Sequence, residues 1–140
     1  MDERGLIAPE TEAAAAERYR ALGPAAQTVT REATKAMAFD REEYGERVTT
    51  DVVATVRDAL FASLLTVTVG TYAEYEAFAA ENPDLEVFEN GSDQVDRAVW
   101  HVVPFAGALV VATFQNEPEA AVATLRRILF GRFYREAVRD

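Results

Sequence analysis

The sequence predicts an α+β fold, and three observations carry this prediction. The first half of the chain has helical apolar spacing, bounded by residues that cap and stop helices. At residues 65–69 the pattern changes to strict apolar–polar alternation, which is typical of a half-buried strand. Further strands and one long helix follow. We therefore expect a helical N-terminal half, then an antiparallel sheet flanked by helices, and a long C-terminal helix.

The N-terminal half is expected to contain four helices. Residues 1–8 predict a flexible tail, and residues 9–140 predict a single domain. Gly23 suits the end of a helix, while Asp40 followed by Glu43 matches a capping box. The predicted helices are at about residues 9–22, 24–38, 40 to 45 or 47, and 51–64.

The second half combines a sheet with two helices. Thr71 followed by Glu74 is a capping box, which predicts a helix through residue 81. Three later strands are expected to form an antiparallel meander, with the strand at 65–69 as a fourth member of the sheet. The strand at 108–114 is apolar on both faces, which indicates an interior position covered by helices on each side. The meander strands are predicted at residues 85–89, 95–103 and 108–114, and the final helix at about 118–138.

The charge balance is strongly acidic. The chain has 24 acidic and 14 basic residues, a net charge of −10, and Lys35 is its only lysine. Excess carboxylate with scarce lysine is typical of a salt-adapted cytosol, because molar salt screens the self-repulsion that would loosen the fold. A GC-rich genome is the alternative explanation for the scarce lysine, but it does not demand acidity. Such a charge repels nucleic-acid backbones and anionic membranes.

The sequence also restricts location and chemistry. With no cysteine, disulfides and thiolate catalysis are excluded, and one histidine argues against a zinc site. The polar N-terminus offers no secretory signal, and the longest apolar run, 99–111, is too short to span a bilayer. We expect a cytoplasmic protein without a membrane partner, metal or cofactor. No complete catalytic set is present, so an enzyme is not favoured.

Two arginines stand at unexpected positions. Arg57 falls inside the apolar arc of the fourth predicted helix, and Arg126 lies beside the apolar stripe of the last. A buried arginine requires an anionic partner, because an unpaired buried charge costs several kcal/mol. The preferred interpretation is a stem that extends to solvent or an internal ion pair, with Asp58, Asp96 or another residue of the acidic segment 71–96 as partner. An anion-binding pocket is the alternative.

The middle strand carries two further candidates. Strand alternation sends Trp100 and His101 to opposite faces of the sheet, so they cannot line one pocket together. A histidine hydrogen-bonded within the core is the preferred interpretation of His101. Its alternative role is in a ligand site with Arg57 and Arg126.

Charge asymmetry suggests a docking surface. Residues 71–96 carry eight acids and no base, whereas residues 118–140 carry five arginines and three acids. A homodimer through these segments would need apolar side chains off the main stripe of the last helix. The candidates are Ile128, Phe130 and Tyr134, and the alternative is that they pack under the N-terminal helices.

Five parts of the sequence carry a resemblance to a known family: 22–26, 57–65, 69–71, 99–101 with 104–105, and 124–128. In them the chain resembles a family of short acidic proteins from haloarchaea, known only as a domain of unknown function. The similarity extends over nearly the whole chain. It implies a halophilic archaeal cytoplasm and one family-wide domain, and it supplies no activity, cofactor or catalytic residue.

Three classes of function remain. A non-enzymatic binding or regulatory domain ranks first, with a homodimer or an unknown protein as its partner. A small-anion or small-molecule site, which could be enzymatic, ranks second and would use Arg57, Arg126 and His101. Nucleic-acid binding ranks last. It would use the C-terminal arginines Arg126, Arg127, Arg132, Arg135 and Arg139.

Overall fold

The computed structural model describes residues 1–36 and 50–139. The helices are α1 (Glu12–Ala21), α2 (Gly23–Ala36), α3 (Thr50–Leu64), α4 (Tyr72–Glu81), α5 (Pro118–Leu129) and α6 (Arg135–Val138). The strands are β1 (Asp2–Arg4), β2 (Val67–Thr71), β3 (Glu86–Asn90), β4 (Arg97–Val103) and β5 (Ala108–Phe114). A 3-10 turn, Pro104–Ala106, links β4 to β5, and a π-helical turn, Phe130–Tyr134, links α5 to α6. The helix predicted at residues 40 to 45 or 47 lies outside the described residues.

The sheet is open and mixed, with the strand order β1-β2-β4-β5-β3. β4 pairs antiparallel with β2 and with β5, while β3 pairs parallel with β5. The predicted α+β class is confirmed, as is the place of the strand after α3 in the same sheet. β5 has strands on both edges and is buried along its length except at Thr113. Its predicted interior position is therefore confirmed.

The structure corrects one pairing of the predicted meander. β4 and β5 pair as expected, but β3 does not lie beside β4. Because β2 occupies the other edge of β4, β3 pairs with the outer edge of β5. The backbone N–H of Glu86 donates to the carbonyl of Gly107 at 2.8 Å, and the side-chain amide of Asn90 donates to that of Val111 at 3.1 Å. β3 thereby supplies hydrogen-bond partners to the outer edge of β5, whose buried backbone groups would otherwise lack them.

The structure also corrects the expected flexible tail. β1 pairs antiparallel with β2, and Ile7 bridges to Leu65 and is 6% exposed. Gly5 adopts a φ of +113°, and a Cβ at this position would lie 2.5 Å from the carbonyl oxygen of Leu65. A glycine thus permits the N-terminal segment to approach the chain where α3 ends. Residues 2–7 are therefore part of the folded domain, because residues 2–4 pair in the sheet and Ile7 packs in the core.

Two layers of helices cover the two faces of the sheet. On one face, helices α1, α3 and α5 pack over inward side chains such as Val99 and Val110. On the opposite face, α4 packs Tyr75 and Phe78 against Trp100. The predicted capping box at the start of α4 is present, with the Thr71 hydroxyl accepting from the backbone of Glu74 at 3.0 Å. α4 therefore stands on the side of the sheet away from the other long helices.

Candidate functional site

A groove runs between α3 and the C-terminal helical segment, on the outer side of the larger helical layer. It has a volume of about 460 Å³. Three of its side chains are arginines, and small residues form most of its floor. We call it the arginine groove. Its lining residues are Thr55, Asp58, Ala59, Ala62, Ser63, Ala123, Arg126, Arg127, Phe130 and Arg135.

The floor of the groove is apolar because α3 presents small residues toward α5. Ala59 and Ala62 line it from α3, and Ala123 lines it from α5. Their spacing on α3 follows the helical repeat, so they share one face of the helix. Phe130 supplies a buried aromatic side chain at one end, with the guanidinium of Arg135 at 5.4 Å from its ring centroid. An apolar moiety can therefore lie between the two helices beneath charged side chains.

Arg126 anchors one wall of the groove. Its Nε and Nη2 atoms both donate to the carbonyl oxygen of Leu65, at 3.1 and 3.0 Å. Burial, and to a smaller extent the charge of Arg4, lowers the pKa of Arg126. The guanidinium has more N–H groups than this contact uses. Arg126 thus ties α5 to the end of α3 and keeps donor capacity for an anion.

The electrostatics of the groove oppose those of the whole chain. Among the residues that the structure describes, three arginines line it against one carboxylate, that of Asp58, in a protein of net charge −10. Asp58 already accepts a hydrogen bond of 2.5 Å from the Tyr19 hydroxyl on α1. Burial, followed by this bond to Asp58, raises the pKa of Tyr19 to about 12, so the phenol stays protonated as the donor. The groove is therefore an electropositive, partly apolar surface.

Arg57 lies on another side of α3. Its guanidinium carbon stands 5.1 Å from the centroid of the Tyr19 ring, and its Nη2 lies close to Gly23 at the junction of α1 and α2. Its Nε is buried and has no hydrogen-bond partner among the described residues. Neither Asp58 nor Asp96 is its partner within that part of the chain. The structure does not bring Arg57 together with Arg126, since their side chains contact different neighbours.

His101 lies beneath the helical layer and is 5% exposed. Its Nδ1 donates to the carbonyl oxygen of Thr66, which can only accept, so the proton is on Nδ1. Its Nε2 accepts from the Tyr134 hydroxyl at 2.7 Å. Burial lowers the pKa of His101 to about 4, and the positive charge of Arg126 acts in the same direction. This is the core histidine that the sequence favoured.

Trp100 is also a core residue. It points to the face covered by α4, whereas His101 points to the face covered by α5, which confirms the prediction from strand alternation. The two side chains belong to separate clusters. The proposed joint site of Arg57, Arg126 and His101 is therefore not assembled: only Arg126 lines the arginine groove.

The three candidate interface residues are part of the core. Phe130 is 5% exposed and Tyr134 is fully buried, and both pack edge-on against the Phe61 ring. Ile128 is half-buried and packs against the same cluster. The structure corrects the expected dimer surface and matches the alternative, in which these residues pack under the N-terminal helices. For Tyr134 the cause is the π-helical turn, which brings this residue inward to the place where an uninterrupted helix would put Phe133.

The sequence pointed to Arg127 and Arg135 only as members of the low-ranked nucleic-acid-binding set, and it did not point to the alanines of the groove floor at all. The adjacent pair Arg126-Arg127 near the end of an amphipathic helix was the available signal. Alanine carries no chemical signal in a sequence. Its role here becomes visible only when two helices lie side by side.

Other types of site were also sought in the described ranges, 1–36 and 50–139. Within them no group of three or more histidine, aspartate or glutamate side chains is placed to hold a metal ion. No helix in these ranges combines the length and the apolar character needed to cross a membrane.

The fold and the groove together define a small α+β domain with an electropositive surface groove. Comparison with known proteins matches residues 6–135 to the "Family of unknown function (DUF5809)". The chain belongs to this family. No curated protein and no solved structure matches the chain.

Proposed function

We propose that the protein is a non-enzymatic binding domain, and that its ligand presents an acidic group on an apolar surface to the arginine groove. The observation that carries this proposal is the convergence of Arg126, Arg127 and Arg135 over an alanine floor, in a chain of net charge −10. A general electrostatic attraction of anions is ruled out by that net charge. Only a site with locally concentrated positive charge can recognise an anion here.

The geometry gives each part of the groove a separate role. Arg127 and Arg135 are exposed and are the first groups that an incoming acidic ligand meets. Arg126 is half-buried, so a charge-assisted hydrogen bond to it is less screened by solvent. When a ligand covers Ala59, Ala62 and Ala123, their apolar surface is removed from contact with water, which favours binding. The first two effects select an anion, and the third favours one that carries apolar surface.

Catalysis is not part of this proposal. His101 is the one histidine, and both of its ring nitrogens are occupied within the core. A histidine that acts as a general base needs a free ring nitrogen within reach of the substrate. Among the described lining residues, Asp58 is the sole carboxylate, and it is engaged by Tyr19.

Nucleic-acid binding ranks below ligand binding. The C-terminal arginines do not share one open face: Arg132 lies over the Phe88 ring at 5.0 Å, and Arg126 is held by Leu65. A phosphate backbone requires a continuous basic track to overcome long-range repulsion by the remaining charge.

We also propose a cellular setting, the cytoplasm of a halophilic archaeon. The net charge of −10 and the single lysine support this setting. Screening by molar salt would let such a chain remain compact and would shorten the reach of the groove's field to about 3 Å. Under those conditions, binding to the groove depends on direct contact.

Calorimetric titration tests the proposed function, with octanoate as an acidic probe that has an apolar tail and sulfate as one that has none. Octanoate is expected to bind the wild type more tightly than sulfate does. The double variant Arg127→Gln/Arg135→Gln should weaken octanoate binding at least tenfold. Arg132→Gln/Arg139→Gln is the matched control, since it removes two charges from the same C-terminal segment outside the groove. Equal weakening by the control, or no saturable binding by the wild type, would overturn the proposal.

A further inference from the structure

The exposed face of α4 has the chemistry that the arginine groove would accept. Ala73, Glu76, Ala77 and Ala80 are exposed and follow the spacing i, i+3, i+4 and i+7, so they form one stripe. The opposite side of α4 is occupied by Tyr75 and Phe78, which pack on the sheet. The outward stripe is therefore small, apolar and acidic, and it is exposed on the chain as described.

We propose that the acidic face of α4 from a second copy of the chain occupies the arginine groove. This inference rests on the proposed function and names the occupant of the same site. Its basis is charge complementarity between two surfaces of one molecule. α4 carries three acids and no base, and Glu76 lies on its exposed stripe, whereas three arginines line the groove.

Small residues line both surfaces. Ala59, Ala62 and Ala123 form the receiving floor, and α4 presents alanines in return. Facing small residues permit two helices to approach toward the short end of the usual interaxial range of about 8–10 Å. At that distance Glu76 lies within contact range of the groove arginines. Arg127 and Arg135 are exposed and can turn toward it.

The positions of the two surfaces determine the symmetry of the assembly. α4 covers the face of the sheet that holds Trp100, and α3 and α5 cover the face that holds Val99. One contact therefore uses the groove of one copy and the α4 of the other, and leaves a free groove and a free α4. Such a heterologous contact closes into a ring or continues as an open chain, and it does not stop at a two-fold dimer.

Salt is expected to screen both the repulsion between two copies and the attraction within the contact, but to different extents. At low ionic strength the charge of −10 on each copy repels the other. Added salt first removes this long-range repulsion, while the contact pairs between Glu76 and the arginines are screened less. Association should therefore increase from low to moderate salt.

Sedimentation velocity with two blocking variants tests the proposal. Ala77→Arg places a large cation on the α4 face, and Ala59→Arg places one in the groove. Both positions are exposed helix sites, so both variants are expected to fold. Ala13→Arg, on the exposed side of α1, is the matched control.

The wild type and Ala13→Arg should form species larger than a dimer as concentration rises. Each blocking variant alone should remain a monomer. Their equimolar mixture should form a one-to-one dimer and nothing larger, because it contains one intact groove and one intact α4 that can meet. A monomeric mixture, or self-association of Ala77→Arg equal to that of the wild type, would overturn the proposal.

The octanoate titration separates the two proposals. If the wild type stays monomeric at every salt concentration but binds octanoate in the groove, the site takes a small anion and the second-copy occupant is wrong. If octanoate also fails to bind, the proposed function itself is wrong.

Discussion

Arg126 and His101 hold consecutive carbonyl groups of the chain. Arg126, from α5, donates to the oxygen of Leu65, and His101, from β4, donates to the oxygen of Thr66. These carbonyls lie between the end of α3 and the start of β2. One side chain lines the groove and the other is buried in the core. The short link from α3 to β2 is therefore the point where the groove wall and the core are joined.

Acidification should destabilise the protein through His101. Its pKa in the folded state, about 4, lies below the ordinary value of 6.5, because burial favours the neutral ring. The unfolded chain therefore binds more protons between these two values. The contribution of neutral His101 to the free energy of unfolding is complete above pH 6.5 and is lost as the pH falls through about 4. Over that window, the loss should be roughly 3 kcal/mol.

The measurement is urea unfolding of the wild type and His101→Gln from pH 7 to pH 4.5. Glutamine can still donate to Thr66 and accept from Tyr134, but it does not titrate. Protonation of the carboxylates affects both proteins, so the difference between them isolates the histidine. Parallel pH profiles would contradict the prediction.

Arg126 is expected to contribute to stability as well as to binding. Arg126→Met removes two hydrogen bonds from the carbonyl of Leu65, which should lower the free energy of unfolding by about 1–3 kcal/mol. Arg127→Met, at an exposed position on the same helix, should change it by less than about 0.5 kcal/mol. Denaturant unfolding compares the two.

The same variant has a second, independent readout. Because the charge of Arg126 lowers the pKa of His101, Arg126→Met should raise that pKa, as followed by NMR of the imidazole. Arg127→Met is the control for this readout too. An unchanged histidine titration would show that the two groups are not coupled.

Arg57 is expected to be replaceable by an apolar side chain. Its Nε is buried without a partner among the described residues, and its stem lies against Tyr19. Arg57→Met keeps much of that contact and removes a donor that costs free energy when unsatisfied, so stability should be unchanged or increase. An internally paired arginine would behave differently: its loss would cost about 3–5 kcal/mol. Thermal unfolding distinguishes the two outcomes.

Stability should increase with salt. The charge of −10 opposes compaction at low ionic strength, and molar potassium chloride screens it. The Tm is expected to rise markedly over this range. The exposed residues Glu76, Glu81 and Glu86 provide the control, since their joint replacement by glutamine should reduce the salt dependence. A flat or falling Tm in the wild type would contradict the salt-adapted setting.

Sequence patterns predicted on which face of an element a side chain lies, but they predicted only part of the strand order. Alternation correctly separated His101 from Trp100, and apolar character on both faces correctly placed β5 inside the sheet. The partner of β3 was not predictable in this way, because the two edges of β5 look alike in sequence. The groove was missed for a related reason. It depends on alanines of α3 meeting arginines far along the chain.

The π-helical turn accommodates one extra residue in the C-terminal helical segment. Gly131 is exposed there, and a Cβ at this position would meet nothing within 4 Å, so the side chain is unconstrained. Removing the residue would restore α-helical spacing and leave Tyr134 on the inward side, because it would then occupy the place that an uninterrupted helix gives to residue 133. Over evolutionary time, substitutions and single-residue deletions at this position should therefore be tolerated. A further inserted residue would turn Tyr134 about 100° around the axis, away from His101, and should be eliminated by selection.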